Sequence, residues 1–463
     1  MSIFSIDREN YKQKYKNNDR NKELYGEILT PFSLINDMFD MFDEECFQDK
    51  NSKWLDIGAG TGYFSMYLFW KLCDGLKYVI PNESERKTHI VKNMIYMSEL
   101  REENIYVLEN MFGIDSNIIS GDFLEYETDF KFDYIIGNPP YNCNGLKKVP
   151  TNSVQDKKKD GKTIWIPFIK HSINLLRENG KLMVIIPSIW MKPDKAQMYY
   201  YLTKYKIHKL KCLSNTQSNS YFKGGGQTPT CYFLLENVIN NSNLELLNIP
   251  IYDYGLKKYI DYEFISGEPI PVFGQSVIMK MKKFIKYGKL NVIKTSLPSK
   301  NIQLTNKFSQ QFCFQNIKTC KLNGLLPYLV INYSNEKLKY YGKKKLVMAH
   351  KMYGFPYLDL SGEFGISNRD NYVILSDDTN KLRKIQKFLS TKTALYLFEC
   401  TRYRMKYLEK YIFELIPDIT ELPDFPQEIN DETIFNYFGF NDEEKLNIQK
   451  LHKRNYCNFI DFL

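Results

Sequence analysis

From residue 53 onward, short apolar segments of β character alternate with segments of helical length and patterning. Such alternation is typical of a parallel sheet flanked by helices, because each crossover between parallel strands is made by a helix. The predicted strands are Lys53–Ile57, Met94–Met97, Asn117–Ile119, Phe132–Ile136, Leu182–Ile186, Ile207–Leu213 and Thr230–Leu235. The predicted crossover helices cover residues 63–72, 103–112, 164–179 and 195–205. The alternation therefore predicts an α/β domain whose ligand site lies beyond the carboxyl ends of its strands.

The turn after the first predicted strand carries three glycines at alternate positions behind an acidic residue, namely Asp56, Gly58, Gly60 and Gly62. Glycine tolerates tight turns and lets a ligand approach the backbone closely. The spacing is GxGxG, which differs from the GxGxxG of dinucleotide-binding folds, and no Lys-Ser or Lys-Thr pair follows as in a phosphate-binding loop. The pattern predicts a ligand-binding turn, with a purely structural turn as the alternative.

Acidic residues follow the second and third predicted strands. Glu99 stands after the strand and before a helix, where a carboxylate can accept hydrogen bonds from both ribose hydroxyls of an adenosyl group. Glu83 is a rival that lies nearer to the glycines in the sequence. After the third strand, Asp122 is predicted to bind an adenine amino group and Phe123 to pack on the base. An isolated acid at such a place is, alternatively, a helix cap.

The most informative motif follows the fourth predicted strand and consists of Asn138, Pro139, Pro140 and Tyr141. Two consecutive prolines stiffen the backbone and leave its carbonyl groups unused by any strand ladder. The Asn138 amide oxygen and the Pro139 carbonyl can both accept from an exocyclic NH₂ group, which makes that nitrogen more nucleophilic. The same acceptors stabilise the positive charge that develops as the amine attacks a methyl sulfonium. Tyr141 is predicted to stack on the base that carries the amine.

Together these motifs resemble the amino-methyltransferases of restriction-modification systems, specifically the adenine-N6 class whose cofactor motifs precede NPPY. The resemblance implies a Rossmann-like, seven-stranded methyltransferase domain in residues 1–270, with S-adenosyl-L-methionine as its cofactor. A mixed α+β target-recognition domain is then expected in residues 271–463. The implied reaction methylates the N6 amine of an adenine flipped out of a specific sequence in double-stranded DNA. A separately encoded restriction endonuclease is the implied partner.

The resemblance also assigns roles to residues outside these motifs. In such enzymes a Thr-Pro pair upstream of the glycine turn holds the methionine end of the cofactor, and Thr30 and Pro31 match it. Read from the residues alone, the same pair caps the helix that begins at residue 32. The family also places an aromatic residue before the last strand to sandwich the flipped base. Phe222 matches that residue, with Tyr221 as the alternative.

From about residue 271 the alternation stops, and basic and aromatic segments take over. Residues 331–410 contain sixteen Lys and Arg against eight Asp and Glu, whereas residues 411–463 contain four against eleven. Such a basic region is typical of a polyanion-binding surface, although a solvated lysine-rich face has the same composition. The residues predicted to contact DNA are Lys343, Lys344, Lys345, Arg402 and Arg404. A second basic stretch, residues 147–162, is predicted to be a loop that either closes over DNA or is simply solvated.

Composition narrows the remaining possibilities. No apolar run approaches the ~20 residues of a membrane span, and the first residues lack the apolar core of a signal peptide. We therefore expect no membrane contact and a cytoplasmic location, in a bacterium or in a virus-infected host cell. The nine cysteines are scattered without a CxxC pair, so no metal site is expected. The open alternatives are methylation of RNA adenine, methylation of a protein glutamine, and a catalytically inactive DNA-binding subunit.

Overall fold

The computed structural model of the chain describes residues 2–5, 19–144, 162–222, 228–240, 246–323, 326–350, 355–404 and 408–450. The chain divides into two compact units, Met1–Tyr252 and Asp253–Leu463. The sequence pattern placed the division somewhat later, between residues 270 and 271. Among the described residues, no helix is both long enough and apolar enough to cross a membrane.

Most of the basic stretch 147–162 lies outside the described residues, and only Lys162 of it is placed.

The first unit is an α/β domain built around one large sheet. Its strands are β1 (Trp54–Ile57), β2 (Ile95–Glu99), β3 (Asn117–Ser120), β4 (Phe132–Gly137), β5 (Asn142–Cys143), β6 (Lys162–Thr163), β7 (Leu176–Pro187), β8 (Tyr205–Leu213), β9 (Thr230–Ile239) and β10 (Leu247–Asp253). Its helices are α1 (Asp19–Tyr25), α2 (Phe32–Phe39), α3 (Tyr63–Gly75), α4 (Glu83–His89), α5 (Glu102–Phe112), α6 (Trp165–Leu175), α7 (Met198–Thr203) and α8 (Asn215–Tyr221).

The sheet of the first unit has the strand order β10–β8–β9–β7–β4–β1–β2–β3. Strands β1, β2, β3, β4 and β7 pair in parallel, whereas β9 runs antiparallel to both β7 and β8. All seven predicted strands are present, which confirms the α/β prediction. The unpredicted strand β10 contains Pro250, and proline lowers strand propensity because it cannot donate to the ladder.

Burial explains why the central strands form. Every residue of β1 is buried, as is usual for a parallel strand covered on both faces. Trp54 stacks on Tyr134 of β4 at 4.0 Å and on Phe47 at 5.4 Å. Because the chain proceeds from β1 to β2 on one side and returns to β4 on the other, a crevice forms at the carboxyl end of β1.

The second unit is mixed α+β, as the sequence predicted. Its strands are β11 (Lys258–Phe264), β12 (Ile293–Lys294), β13 (Leu304–Thr305), β14 (Phe314–Asn323), β15 (Leu326–Ser334), β16 (Lys345–Ala349), β17 (Tyr357–Asp359), β18 (Gly365–Ile366) and β19 (Asn371–Leu375). Its helices are α9 (Gln275–Lys282), α10 (Thr379–Leu389), α11 (Lys392–Cys400), α12 (Asp431–Phe438) and α13 (Asp442–Lys450). Two four-stranded sheets have the orders β12–β19–β16–β17 and β13–β15–β14–β18. Their apolar faces share a core that includes Ile317, Val347 and Val373.

Candidate active site

A cavity of about 360 Å³ lies beyond the carboxyl ends of β1 to β4 in the first unit. This volume is in the range of pockets that hold small organic ligands. The residues predicted from the sequence that line it are Thr30, Gly58, Gly60, Glu99, Asp122, Phe123, Asn138 and Pro140. Residues from four separate strand ends are therefore brought to one place, as the parallel sheet requires.

The glycine turn and Glu99 form one wall of this cavity. Gly58 and Gly60 have φ values of +68° and +58°, a conformation that favours glycine. The Gly60 N–H donates to Glu99 Oε2 at 2.7 Å, and the Leu100 and Arg101 N–H groups donate to Oε1 at 3.0 and 2.9 Å. These bonds fix the carboxylate at the cavity wall, although burial still raises the pKa of Glu99.

Two features of the sequence near this wall have structural roles. A Cβ on Gly62 would lie 2.7 Å from Leu108 Cδ2, so this glycine permits close packing of α3 against α5 and does not line the cavity. The rival acid Glu83 lies on α4, where it pairs with Lys87 at 2.6 Å. Of the two rival acids, Glu99 lines the cavity and Glu83 does not.

Asp56 is buried next to the glycine turn. Its Oδ2 accepts from the Ser65 N–H at 3.1 Å and from the Ser65 hydroxyl at 2.8 Å. Its Oδ1 has no hydrogen-bond partner among the described residues. Burial raises the pKa of Asp56 to about 7, and the nearby charge of Glu99 contributes in the same direction. The carboxyl group supports the turn from beneath and is not itself among the cavity-lining residues.

Asn138 lines the cavity at the end of β4. Its Nδ2 donates to Thr30 Oγ1 at 3.1 Å and to the Ile28 carbonyl at 3.4 Å, whereas its buried Oδ1 has no partner within the described residues. Two bonds on the nitrogen side thus orient the amide and leave its oxygen available as an acceptor. Pro140 lines the cavity beside Asn138, and Pro139 is buried.

Tyr141 is held by the sheet. Its hydroxyl donates to the Ile185 carbonyl of β7 at 3.3 Å, and burial raises its pKa. Tyr141 is not among the residues that line the cavity. The hydrogen bond of its hydroxyl group to β7 gives Tyr141 a structural role. Stacking of its ring on a base stays a prediction.

An N-terminal strap, defined as residues 24–30, forms another part of the cavity wall. The Asn144 N–H donates to the Leu24 carbonyl at 3.1 Å, which ties the strap to the chain after NPPY. Gly26 has a φ of +73°, and a Cβ there would lie 2.3 Å from the Asn142 carbonyl oxygen, so only glycine fits this approach. Thr30 at the end of the strap contacts Asn138, while Pro31 is the N-cap residue of α2 and lies outside the cavity lining.

The sequence reasoning missed an ion pair that closes this strap over the cavity. Arg101 pairs with Glu27, and both side chains are largely buried. Asn104 Nδ2 on α5 donates to Glu27 Oε1 at 3.3 Å. The one sign of this ion pair in the sequence was the acidic Glu27, three residues before Thr30. Its partner Arg101 lies seventy-four positions further along the chain. No local pattern reveals such a pair.

Asp122 and Phe123 occupy the third strand end. Asp122 accepts from the Leu124 N–H at 3.0 Å, so it does cap a short turn, and it also lines the cavity. Phe123 is buried and packs against Phe168 at 5.0 Å and His171 at 4.9 Å. Phe168 lines the same cavity, which makes it a further apolar contact for a planar ligand.

Phe222 is placed differently from the expectation. The side chain is buried, 2% exposed, directly after α8, and it is absent from the cavity lining that the structure describes. Residues 223–227 of the predicted glycine-rich loop lie outside the described residues. The burial identifies Phe222 as part of the core in this structure, and its role in stacking stays a prediction.

The basic residues proposed for the second unit divide into two kinds. Lys345 is fully buried and forms an ion pair with Asp359, and its ammonium also donates to the Tyr340 and Lys343 carbonyls at 3.1 Å each. The expectation that Lys345 contacts DNA is therefore wrong, because β16 turns this side chain into the core. Lys343 and Lys344 are exposed.

The two arginines of the prediction are engaged with carboxylates. Arg402 binds both oxygens of Glu399 at 3.1 and 2.8 Å, and Arg404 approaches Glu409 at 3.5 Å. Arg404 is half-exposed, whereas Arg402 is more covered. Each guanidinium is thus at least partly neutralised by its neighbour, so these arginines offer less positive charge to a polyanion than the sequence indicated.

The fold and the cavity define an α/β domain of the kind that binds a nucleotide-like ligand beyond the carboxyl ends of its strands. Residues 49–222 match the family described as Eco57I restriction-modification methylase. The matched segment contains the glycine turn, Glu99 and the NPPY motif. It confirms, for these residues, the resemblance inferred from the sequence.

Individual relatives match parts of the chain. Type II methyltransferase M.PaeR7I of Pseudomonas aeruginosa is 35% identical over 191 residues, 37% of this chain and 33% of that protein. Type II methyltransferase M.BstVI of Geobacillus stearothermophilus is 30% identical over 196 residues, 36% of this chain and 34% of that protein. A tRNA1(Val) (adenine(37)-N6)-methyltransferase of Bacteroides thetaiotaomicron is 25% identical over 134 residues, 29% of this chain and 51% of that protein. The chain therefore spans about a third of the type II relatives and half of the tRNA enzyme.

Proposed function

We propose that this chain is an S-adenosyl-L-methionine-dependent methyltransferase that methylates the N6 amine of adenine in double-stranded DNA. The observation that carries the proposal is the Asn138 amide, whose nitrogen is held by Thr30 and Ile28 and whose buried oxygen has no partner among the described residues. The same cavity contains the glycine turn and Glu99. A cofactor pocket and an oriented amide acceptor are what methyl transfer to an amine requires.

The residues present fit an adenosyl cofactor. A Cβ built on Gly60 meets nothing within 4 Å, so the backbone of the turn faces open space at the cavity wall. Glu99 offers its carboxylate to ribose hydroxyls, Asp122 offers one to an adenine amino group, and Phe123 with Phe168 provides apolar contact. When bound, the cofactor would supply an electrophilic methyl group on a sulfonium.

The remaining chemistry falls to the NPPY segment. Asn138 Oδ1 accepts a hydrogen bond from the target amine and thereby raises the electron density on its nitrogen. As that nitrogen becomes positive, the same acceptor stabilises the charge from a fixed position, which avoids the cost of reorganising solvent. The Pro139 carbonyl is the proposed second acceptor. No proton needs to leave before the methyl group is transferred, since the neutral amine carries the lone pair that attacks. The bond from the methyl carbon to sulfur would break as the N–C bond forms, so the thioether of the spent cofactor would be the leaving group. One N6 proton would then pass to solvent.

DNA is the favoured substrate, and RNA is the second candidate. Of the three relatives named above, the two with the longer alignments are type II methyltransferases. The tRNA adenine methyltransferase matches a shorter part of the chain. With DNA as substrate, the enzyme would act in the cytoplasm of a bacterium or of a virus-infected cell. The methylation would then protect the DNA from cleavage by a separately encoded restriction endonuclease.

The substrate class can be tested directly. The protein would be incubated with methyl-labelled S-adenosyl-L-methionine and with duplex DNA, single-stranded DNA, tRNA or a protein extract. We expect label in duplex DNA, recovered as N6-methyladenine after digestion. Label recovered only in RNA, in glutamine or at cytosine N4 would overturn the proposal.

The role of Asn138 is tested by Asn138→Ala. Loss of one preorganised hydrogen-bonding group at a transition state typically lowers the rate about 10²–10³-fold. We expect a decrease of that order in the single-turnover rate, with little change in cofactor affinity. Asn110→Ala on α5 is the matched control, because Asn110 is exposed and lies outside the cavity lining. A near-normal rate in the Asn138→Ala protein would contradict the assignment.

A further inference from the structure

One stretch of the second unit contains many lysines and no acidic residue to balance their charge. Residues 269–335 contain ten lysines and no Asp or Glu. The average globular chain mixes both signs over such a length, so an acid-free stretch produces a local positive potential. The DNA-contact residues predicted from the sequence all lie later in the chain, at residues 343–404.

The structure separates these lysines into paired and unpaired groups. Lys280, Lys282 and Lys289 form ion pairs with Glu444, Glu268 and Glu414. The unpaired group consists of Lys283, Lys286, Lys294, Lys300, Lys307, Lys318 and Lys321, all of which are exposed. Within the described residues, no carboxylate lies at ion-pair distance from any member of this second group, so their charge is available to a polyanion.

The same stretch forms most of a concave surface, here called the amide groove. It has a volume of about 360 Å³, and its polar lining residues are Thr305, Asn306, Lys318, Asn332, Ser367 and Asn368. Asn332 on β15 is only 6% exposed, and its Oδ1 has no hydrogen-bond partner among the described residues. Because burying an unsatisfied amide oxygen is unfavourable, the acceptor points to a donor supplied by a ligand.

We propose that the amide groove reads base edges of duplex DNA and that the unpaired lysines contact the flanking phosphates. An asparagine amide presents an acceptor beside a donor, the arrangement that pairs with the N6 amine and N7 of adenine in the major groove. Lysines beside such a groove supply the sequence-independent part of the affinity. This inference rests on the proposed function for its choice of DNA, and it adds the residues that select the methylated sequence.

The phosphate contacts are tested by replacing Lys307, Lys318 and Lys321 together with Gln. Binding of a fluorescein-labelled duplex would be followed by anisotropy at several salt concentrations. Removal of one lysine–phosphate pair should reduce the slope of log K against log salt by about 0.9. The control is the Lys50, Lys77 and Lys131 triple Gln variant, which removes the same charge from exposed sites in the first unit. Equal slopes for the two variants would overturn the proposal.

The base-reading role is tested by Asn332→Ala and, separately, by Asn306→Ala. Bound sequences would be selected from a library of randomised duplexes and sequenced. We expect each variant to lose preference at one position of the selected sequence while keeping the salt slope. Asn306 is exposed, so its variant stays folded if the buried Asn332→Ala protein does not. Selected sequences identical to those of the unaltered protein in both variants would overturn the proposal.

The outcome is separable from that of the proposed function. Selection and anisotropy report binding alone, so a protein that methylates no DNA can still show the amide-groove effects. Conversely, DNA methylation that keeps its sequence preference in both Asn variants would leave the proposed function intact and refute the groove assignment. Tighter binding to duplex RNA than to duplex DNA of the same sequence would also refute it.

Discussion

The two units contain concave sites of similar volume, about 360 Å³ each, but with opposite chemistry. The cavity of the first unit is built around carboxylates, Glu99 at its wall and Asp56 beneath its glycine turn. Most of the amide groove of the second unit is formed by residues 269–335, which include no acidic residue. Carboxylates suit the hydroxyl and amino groups of a cofactor, whereas lysines and amides suit phosphates and base edges. Under the two proposals above, the cofactor and the DNA bases therefore bind at separate sites of different chemistry.

The two sites also differ in how the chain builds them. The glycine turn, Glu99, Asp122 and Asn138 of the first cavity each lie at the end of a strand or just after it, and the parallel sheet gathers these strand ends at one edge. The amide groove depends on the register of antiparallel strands, such as Asn316 opposite Asn332. A register shift of one residue would turn Asn332 to the other face of the sheet. The predictions below test this contrast, beginning with the largest expected effect.

Gly60→Arg should eliminate cofactor binding to the first unit. The space around a Cβ at Gly60 is empty, so a long side chain there would enter the cavity, and the φ of +58° disfavours any other residue. Calorimetric titration with S-adenosyl-L-methionine measures the decrease in affinity. Gly439→Arg is the matched control, because Gly439 has a φ of +64° and equally empty surroundings in the second unit. Unchanged affinity in the Gly60→Arg protein would refute the cofactor site.

Lys345→Ala should destabilise the second unit, whereas Lys343→Ala should not. Removing one member of a buried ion pair leaves the other charge uncompensated, at a cost of about 3–5 kcal/mol. Substitution of an exposed residue such as Lys343 typically changes the free energy of unfolding by no more than about 0.5 kcal/mol. Urea denaturation of both variants measures the contrast. Similar unfolding curves for the two proteins would show that Lys345 is not a structural lysine.

Thr30→Val should slow methyl transfer about tenfold, because leaving one buried hydrogen-bonding group unpaired costs about 1–3 kcal/mol. Thr30 acts as a positioning residue, since its hydroxyl accepts from Asn138 Nδ2 and thereby orients the amide oxygen. Thr30→Ser restores the hydroxyl and should restore most of the single-turnover rate. If Ser and Val variants are equally slow, Thr30 serves packing or cofactor binding alone.

The pH dependence of stability should show the buried carboxyl of Asp56. This group has a pKa near 3.8 in the unfolded chain and about 7 in the folded protein. The folded protein therefore holds an extra proton between these values, so its free energy of unfolding falls as pH rises from about 4 to 7 and levels off above. Urea unfolding of Asp56→Asn should lack this component. Parallel pH curves for the two proteins would contradict the raised pKa.

Much of the first unit was predictable because its signals are local. The seven strands, the glycine turn and NPPY each occupy a few consecutive residues, and their positions after strands follow from the topology of a parallel sheet. Even the preference for Glu99 over Glu83 followed from a local feature, because Glu99 follows a predicted strand. The same local reading did not reveal that Gly62 packs against Leu108 or that the Phe222 side chain is buried in this structure.

The sequence by itself determined the α/β class, the order of the strand-end motifs and the two-unit organisation, since periodicity and motif spacing depend on neighbouring residues alone. Only the tertiary structure decided which polar groups are buried and which are paired. Lys345 is neutralised by Asp359, Glu27 by Arg101, and the Asn138 amide is oriented by Thr30, in each case by a residue distant in the sequence. Burial and ion pairing are properties of the assembled chain, because they depend on strand register and on contacts that no local pattern encodes.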